Sequence, residues 1–78
     1  MELINLGYNN VVLKNRVVAI LGLNSNPLKR LVEVAKKENK VIDATSGRKT
    51  RSIVLTDAGF IILSSLQPQR LAQRIRKR

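Results

Sequence analysis

Two short runs of the sequence are apolar at every position, residues 17–21 (VVAIL) and 60–63 (FIIL). Both contain the β-branched residues that favour strands. Because successive side chains of a strand point to opposite faces of a sheet, strands of this kind have to be covered on both faces. We expect two short helices to cover one face of the sheet and a second subunit to cover the other.

Turn-forming and capping residues set the order of the remaining elements. Glycine and asparagine in residues 7–10 tolerate the positive φ of a tight turn, and Asn15 marks a break between two strands. Residues 57–59 (DAG) close a hairpin, and Asn26 and Pro27 suit the cap and first position of a helix. The sequence therefore predicts strands at 2–6, 10–14, 16–22, 40–44, 51–56 and 60–64, with helices from 27 to about 38 and from 68 onward.

Each predicted helix carries one apolar stripe, flanked by cations. Strands followed by a helix, then strands followed by a helix, predict an α+β fold. We expect a single domain, residues 1–78, with a small, mostly antiparallel sheet and two helices. The stripes consist of Leu28, Leu31, Val32 and Ala35 in the first helix, and of Leu71, Ala72 and Ile75 in the second.

The size of the chain limits its core. A domain of 78 residues buries only about 60% of the surface that its unfolded chain exposes. The sequence contains no cysteine for a disulfide and no histidine for a usual zinc site. Assembly of several subunits is the remaining common source of stability, so we expect a homo-oligomer and no metal.

The net charge indicates the class of partner. Fifteen Lys and Arg against five Asp and Glu give +10, which favours nucleic acid first and an anionic membrane surface second. No apolar run approaches the roughly 20 residues of a spanning helix, and the first ten residues contain Glu2 but no basic segment of a secretory signal. We expect a cytoplasmic, nucleoid-associated protein that does not bind membranes.

Catalysis is a poor fit to this sequence. Without cysteine or histidine there is no Cys/His or Ser/His pair, and the five acids are scattered. Residues 46–50 (SGRKT) resemble the end of a phosphate-binding loop, but Ile42 stands where the first glycine is required, and Arg48 separates Gly47 from the lysine. We therefore expect no enzyme activity, no cofactor and no small-molecule substrate.

The most concentrated positive charge lies in residues 43–55 (DATSGRKTRSIVL), where Arg48, Lys49 and Arg51 follow a turn. The spacing of these three cations leaves two interpretations open. They are either the solvated start of a hairpin or a phosphate-binding site. Strict alternation would place Arg51 on the same face as Ile53. Either residues 46–51 are irregular, or Arg51 lies beyond the packed region, or it reaches a neighbouring subunit.

Other features narrow the kind of nucleic acid. Arg16, with Lys14, adds charge on an early strand. The only aromatic residues are Tyr8 and Phe60, fewer than single-strand binders of the stacking type usually display. Duplex DNA contacted through its backbone fits better. We interpret the cations of the first helix as its solvated face. The C-terminal segment RIRKR is either a frayed tail or an arm that contacts the nucleic-acid backbone.

Several segments together resemble the bacterial extracellular-matrix regulatory family of RemA. In chain order they are LINLGYNN, NRVVAI, NPLKRLVEVA, VIDATSGRKTRSIVL and FIILSSLQP followed by LAQR. The similarity extends from Leu3 to about Arg74, and its most specific parts are the IDAT-x-GR-[RK]-TR and ILS-x-x-QP patterns.

This resemblance implies a DNA-binding transcriptional regulator of biofilm matrix that assembles into closed homo-oligomeric rings with a basic, DNA-facing surface. It implies that Arg16, Arg48 and Lys49 contact DNA, with Arg51 adjacent in the motif. We therefore expect Arg16, Arg48, Lys49 and Arg51 to contact phosphates, and Arg48 to reach a base edge. Where the family usually has two consecutive arginines, this sequence has Arg48 and Lys49. The lysine keeps the positive charge but lacks the guanidinium that binds a phosphate with two parallel hydrogen bonds.

Two other classes of function stay open at this point. One is an RNA-binding or ribosome-associated basic protein, since the charge argument does not separate RNA from DNA. The other is a scaffold that binds an acidic protein. Membrane-surface binding is a weaker fit, because neither helix has a large aromatic-rich apolar face.

Overall fold

The computed structural model describes residues 2–76, which form an α+β domain of six strands and two helices. The strands form a two-stranded antiparallel sheet, β1–β2, and a four-stranded sheet of order β3-β5-β6-β4. In the larger sheet β5 is antiparallel to β3 and β6, whereas β4 runs parallel to β6. The elements are β1 (Leu3–Gly7), β2 (Asn10–Leu13), a 3₁₀ turn (Lys14–Arg16), β3 (Val17–Gly22), α1 (Asn26–Lys37), β4 (Val41–Asp43), β5 (Ser52–Thr56), β6 (Ile61–Ser64) and α2 (Pro68–Arg76).

Helix α1 covers one face of the four-stranded sheet. Val32 and Ala35 of the helix pack with the alternate sheet residues Ile53, Ile61 and Leu63, all of which are buried. The register places Ile53 opposite Leu63, so these residues share one face. The prediction that Val32 and Ala35 belong to the buried face of this helix is therefore confirmed. Leu31, on the outer side, is 41% exposed.

The second face is covered by α2 and the β1–β2 hairpin together. Val54 and Ile62, paired across β5 and β6, pack with Ile4, Leu6 and Leu71. The expectations that both helices cover one face and that a second subunit covers the other were wrong, because α2 and the N-terminal hairpin fold over the face opposite α1. The apolar character of both strand parities is thus explained within one chain.

Two buried serines tie the covering elements to the sheet. Ser52 and Ser64 are opposite each other in β5 and β6 and fully buried. Ser52 Oγ donates to the Leu66 carbonyl at 2.8 Å, and Ser64 Oγ donates to the Leu6 carbonyl at 3.0 Å. A buried hydroxyl is tolerated only when it is hydrogen-bonded. These bonds fix β1 and the segment before α2 against the sheet.

Several local predictions need correction. The predicted break at Asn15 is a 3₁₀ turn, so Lys14 and Arg16 lie in that turn and not on a strand. The cap of α1 is Ser25, whose Oγ accepts from the Leu28 backbone N–H, and Asn26 is already helical. On α2, Ala72 is exposed.

No helix within residues 2–76 is long and apolar enough to cross a membrane.

Candidate nucleic-acid interface

The loop of residues 44–51, called the basic loop below, connects β4 to β5 and begins with an aspartate-stabilised turn. Asp43 Oδ1 accepts from Thr45 Oγ1 at 2.6 Å and from the Thr45 backbone N–H at 2.9 Å. These hydrogen bonds hold the pKa of the Asp43 carboxyl below its ordinary value. Ser46 and Gly47 then have positive φ, 53° and 80°, and reverse the chain. The turn sets the direction in which Arg48 leaves the sheet.

Arg48 lies against the tip of the β1–β2 hairpin. Its guanidinium carbon is 4.0 Å from the centroid of the Tyr8 ring, well inside the range of a cation–π contact. Its backbone N–H donates to the Thr45 carbonyl. The guanidinium also donates from Nη1 to the Ser46 carbonyl at 3.5 Å. The residue is exposed, so the guanidinium contacts the ring and remains open to solvent.

Lys49 and Arg51 line an open cavity of about 430 Å³ beside the first turn of α2. Besides Thr50 of the same loop, the other lining residues come from the end of β3 with the two residues after it and from the start of α2 with the residue before it, and none of them is acidic. The cavity is lined by Gly22, Leu23, Asn24, Lys49, Thr50, Arg51, Gln67, Pro68 and Gln69. Two cations and three residues with side-chain amides therefore line one open concavity.

The position of Arg51 explains why it does not share the buried face of Ile53, as strict strand alternation would require. Strand β5 begins at Ser52, and Arg51 is the last residue of the irregular loop. Its backbone N–H still donates to the Ser64 carbonyl at 2.9 Å. Its side chain is exposed and faces the cavity, so the first of the three interpretations is the one observed.

The ion pairs within residues 2–76 do not include Arg48, Lys49 or Arg51. The two pairs are Lys14 with Glu2 at 3.7 Å and Arg16 with Asp57 at 3.3 Å. Cations without acidic partners keep a stronger field at the surface than paired cations do. The basic loop is thus a concentrated, exposed and uncompensated positive segment in the described part of the chain.

Arg16 is not part of this cluster. It precedes β3, where Val17 pairs with Thr56, whereas Arg51 precedes Ser52, which pairs with Gly22 at the other end of the same strand. Five residues of β5 separate the two ends, roughly 17 Å at the rise of an antiparallel strand. The structure therefore brings Arg48, Lys49 and Arg51 into one loop and leaves Arg16 at the opposite end of the sheet.

Cations elsewhere in the chain have varied surroundings. Arg74 in α2 donates from Nη1 to the Asn5 carbonyl at 2.6 Å and so joins the helix to β1. Lys29 and Arg30 are exposed on α1, as predicted for a solvated face. Of the C-terminal RIRKR, residues 74–76 are helical, while Lys77 and Arg78 lie outside the described residues.

Sequence reasoning missed Tyr8 as a partner of Arg48 and Asp57 as a partner of Arg16. The members of each pair are 40 and 41 positions apart, so no local periodicity connects them. The turn at residues 7–10 was predicted, but its contact with the basic loop was not.

A small basic α+β domain with an exposed cationic loop is the class that this fold and site define. Residues 3–75 match the family described as RemA-like, Extracellular matrix regulatory protein A-like. A relative from Fervidobacterium nodosum is 60% identical over 92% of this chain and 77% of its own length. Relatives from Kosmotoga olearia and Thermotoga petrophila are each 58% identical over 92% of this chain, covering 73% and 78% of their own lengths.

The chain belongs to the RemA-like family, which confirms the resemblance found in its motifs. Each of these three relatives bears the name "Putative regulatory protein", and none is named as an enzyme.

Proposed function

We propose that this protein is a DNA-binding transcriptional regulator that contacts the backbone of double-stranded DNA through the basic loop. The observation that carries the proposal is the set of three exposed cations in eight residues, none paired with an acid within residues 2–76. Phosphate binding depends on several cations at one surface, each of which releases condensed counterions. Arg48 and Arg51 additionally have the planar fork that binds a phosphate or a guanine edge in bidentate fashion.

The surroundings of the two aromatic rings support duplex over single-stranded nucleic acid. The guanidinium of Arg48 covers one face of Tyr8, and Lys40 Nζ is 5.4 Å from the centroid of Phe60. Base stacking needs an open aromatic face. A cation lies over one face of each ring, and these two rings are the only aromatic side chains of the chain, so the cationic loop is the stronger basis for nucleic-acid binding.

We further infer that the subunits assemble into a homo-oligomeric ring that repeats the basic loop. Strands β3 and β4 are the outer strands of the four-stranded sheet, and each exposes a large apolar side chain, Val18 at 68% and Ile42 at 48%. Open strand edges with apolar residues favour association. Linked copies of a weak phosphate contact would bind a duplex more tightly than one domain can.

The decisive experiment replaces the loop cations one at a time. Arg48→Ala is expected to abolish retardation of a duplex at about 0.15 M salt, where each lost contact weakens binding and lowers the salt slope by about 1. Lys49→Ala and Arg51→Ala should weaken binding to a smaller extent, because Arg48 alone supplies the stacked fork. Lys37→Ala, an exposed charge on α1, is the matched control and should leave the dissociation constant unchanged.

Light scattering on each variant checks that oligomer size is retained. Wild-type affinity in Arg48→Ala would refute the assignment of the loop. Competition by structured RNA at the same salt distinguishes the alternative, since preference for RNA would make this an RNA-binding protein.

A further inference from the structure

The contact between Arg48 and Tyr8 joins two surface segments that are distant in sequence. Both side chains are exposed, Tyr8 to 47%. At 4.0 Å between the guanidinium carbon and the ring centroid, the two groups are well within cation–π distance. An exposed arginine would otherwise sample many rotamers, and holding it in one costs conformational entropy.

The hairpin tip that carries Tyr8 is itself fixed to the basic loop. Asn10 Nδ2 donates to the carbonyls of Gly7 and Tyr8 at 3.0 and 3.1 Å, and it lies 3.4 Å from the carbonyl of Ala44. A single amide thus joins the backbone beneath Tyr8 to the first residue of the loop that carries Arg48.

The backbone conformation of the hairpin turn gives no reason for a tyrosine at position 8. Tyr8 and Asn9 have φ of 52° and 67°, the left-handed pair of a two-residue hairpin loop. Asparagine and glycine adopt this conformation readily, whereas a bulky side chain there is an outlier. The ring therefore occupies a position that local backbone preference disfavours, and its contact with Arg48 is the interaction that the ring makes possible.

We propose that Tyr8 is the positioning residue for Arg48 in DNA binding. This proposal rests on the proposed function of the basic loop. The ring lies against the guanidinium, and Nη1 also donates to the Ser46 carbonyl at 3.5 Å, a long contact. The remaining N–H donors of the exposed guanidinium can bind a phosphate or a guanine. Arg48 is thereby preorganised, so less freedom is lost when the duplex binds.

The test is a double-mutant cycle measured by fluorescence anisotropy of a labelled duplex. Tyr8→Leu removes the aromatic face but keeps apolar bulk, and it should raise Kd about two- to fivefold, the range of an exposed cation–π contact. Tyr8→Phe keeps the face and should match the wild type. In an Arg48→Ala background, at salt low enough for residual binding, Tyr8→Leu should have no further effect.

An effect of Tyr8→Leu that is equal in the two backgrounds would overturn the proposal, because Tyr8 would then act on DNA or on the fold without Arg48. Equal affinity of Tyr8→Leu and wild type would also overturn it. Thermal unfolding of the variants detects any general loss of stability.

A second readout needs no DNA. The chain has one tyrosine and no tryptophan, so protein labelled with 3-fluorotyrosine has a single ¹⁹F resonance. Arg48→Ala should shift that resonance in the free protein, and Lys49→Ala should leave it in place. An unshifted resonance in Arg48→Ala would mean that the stack is not formed.

The two proposals fail in different ways. If Arg48→Ala binds duplex like the wild type, the proposed function of the loop is wrong, whatever the ¹⁹F spectrum shows. If Arg48→Ala loses affinity but Tyr8→Leu does not, only the positioning role of Tyr8 is wrong.

Discussion

At the scale of single residues, Arg48 and Arg16, two of the three arginines predicted to contact DNA, differ in what surrounds them. Arg48 stacks on an aromatic ring and is free of acidic partners within residues 2–76. Arg16 forms an exposed ion pair with Asp57 at 3.3 Å, and the Asp57 backbone N–H donates to the Arg16 carbonyl. Part of the charge of Arg16 is therefore compensated before any polyanion approaches.

Replacing Asp57 by asparagine should make Arg16 a better phosphate ligand. The substitution removes the competing carboxylate and keeps the backbone hydrogen bond. Exposed ion pairs are weak, so we expect duplex affinity to rise no more than about fivefold in an anisotropy titration at about 0.1 M salt. Glu2→Gln, which frees Lys14 in the same way, is the control. Equal gains in the two variants would show that only the net charge matters.

At the scale of elements, the basic loop depends on the N-terminal hairpin. The hairpin carries Tyr8, and Ser64 holds it to the sheet by donating from Oγ to the Leu6 carbonyl at 3.0 Å. The same oxygen accepts from the Leu66 backbone N–H at 3.2 Å. One buried hydroxyl is thus hydrogen-bonded both to β1 and to the segment that precedes α2.

Ser64→Ala should destabilise the domain by about 1–3 kcal/mol, because a buried carbonyl and a backbone N–H lose their partner. For a domain of this size, each kcal/mol corresponds to roughly 4–8 °C in Tm. Ser65→Ala, at a half-buried neighbour, should change stability by less than about 0.5 kcal/mol. Denaturant titrations at one fixed protomer concentration measure both. Equal stabilities of the two variants would contradict the role of the hydroxyl.

At the scale of the whole molecule, the four cations predicted to contact DNA are divided between two ends of the sheet. The basic loop and Arg16 are roughly 17 Å apart along β5. A duplex that touches both must contact them as separate points. Both faces of the sheet are already covered within one chain, so assembly would use the strand edges or the exposed side of α1.

Separate points of contact should contribute independently to binding. The losses in binding free energy of Arg16→Ala and Arg48→Ala should add in the double variant to within about 0.5 kcal/mol. Titrations over a range of salt concentrations also give the salt slope, which each single substitution should lower by about 1. A coupling above about 1 kcal/mol would contradict this independence and would mean that neighbouring subunits bring the two ends together.

Much of the local structure was predictable from the sequence. The strands near 3–7, 10–13, 17–22, 41–43, 52–56 and 61–64 and both helices were found with small errors at their ends. Periodicity, turn residues and caps act over a few positions, so a single sequence displays them. The errors have the same origin: Ser25 and Asn26 are both good caps, and the exposure of Leu31 and Ala72 depends on which side of each helix meets the sheet.

The α+β class, the excess of positive charge and the basic loop follow from the amino-acid sequence alone, and so, through its motifs, does the family. Three features appear only in the folded chain: α2 and the β1–β2 hairpin cover the second sheet face, Arg16 stands apart from the loop, and Arg48 packs on Tyr8. These features depend on contacts between residues about 40 or more positions apart. Such contacts are set by how the chain packs as a whole, because the free energy of burial is shared over a surface and has no signature in any short segment.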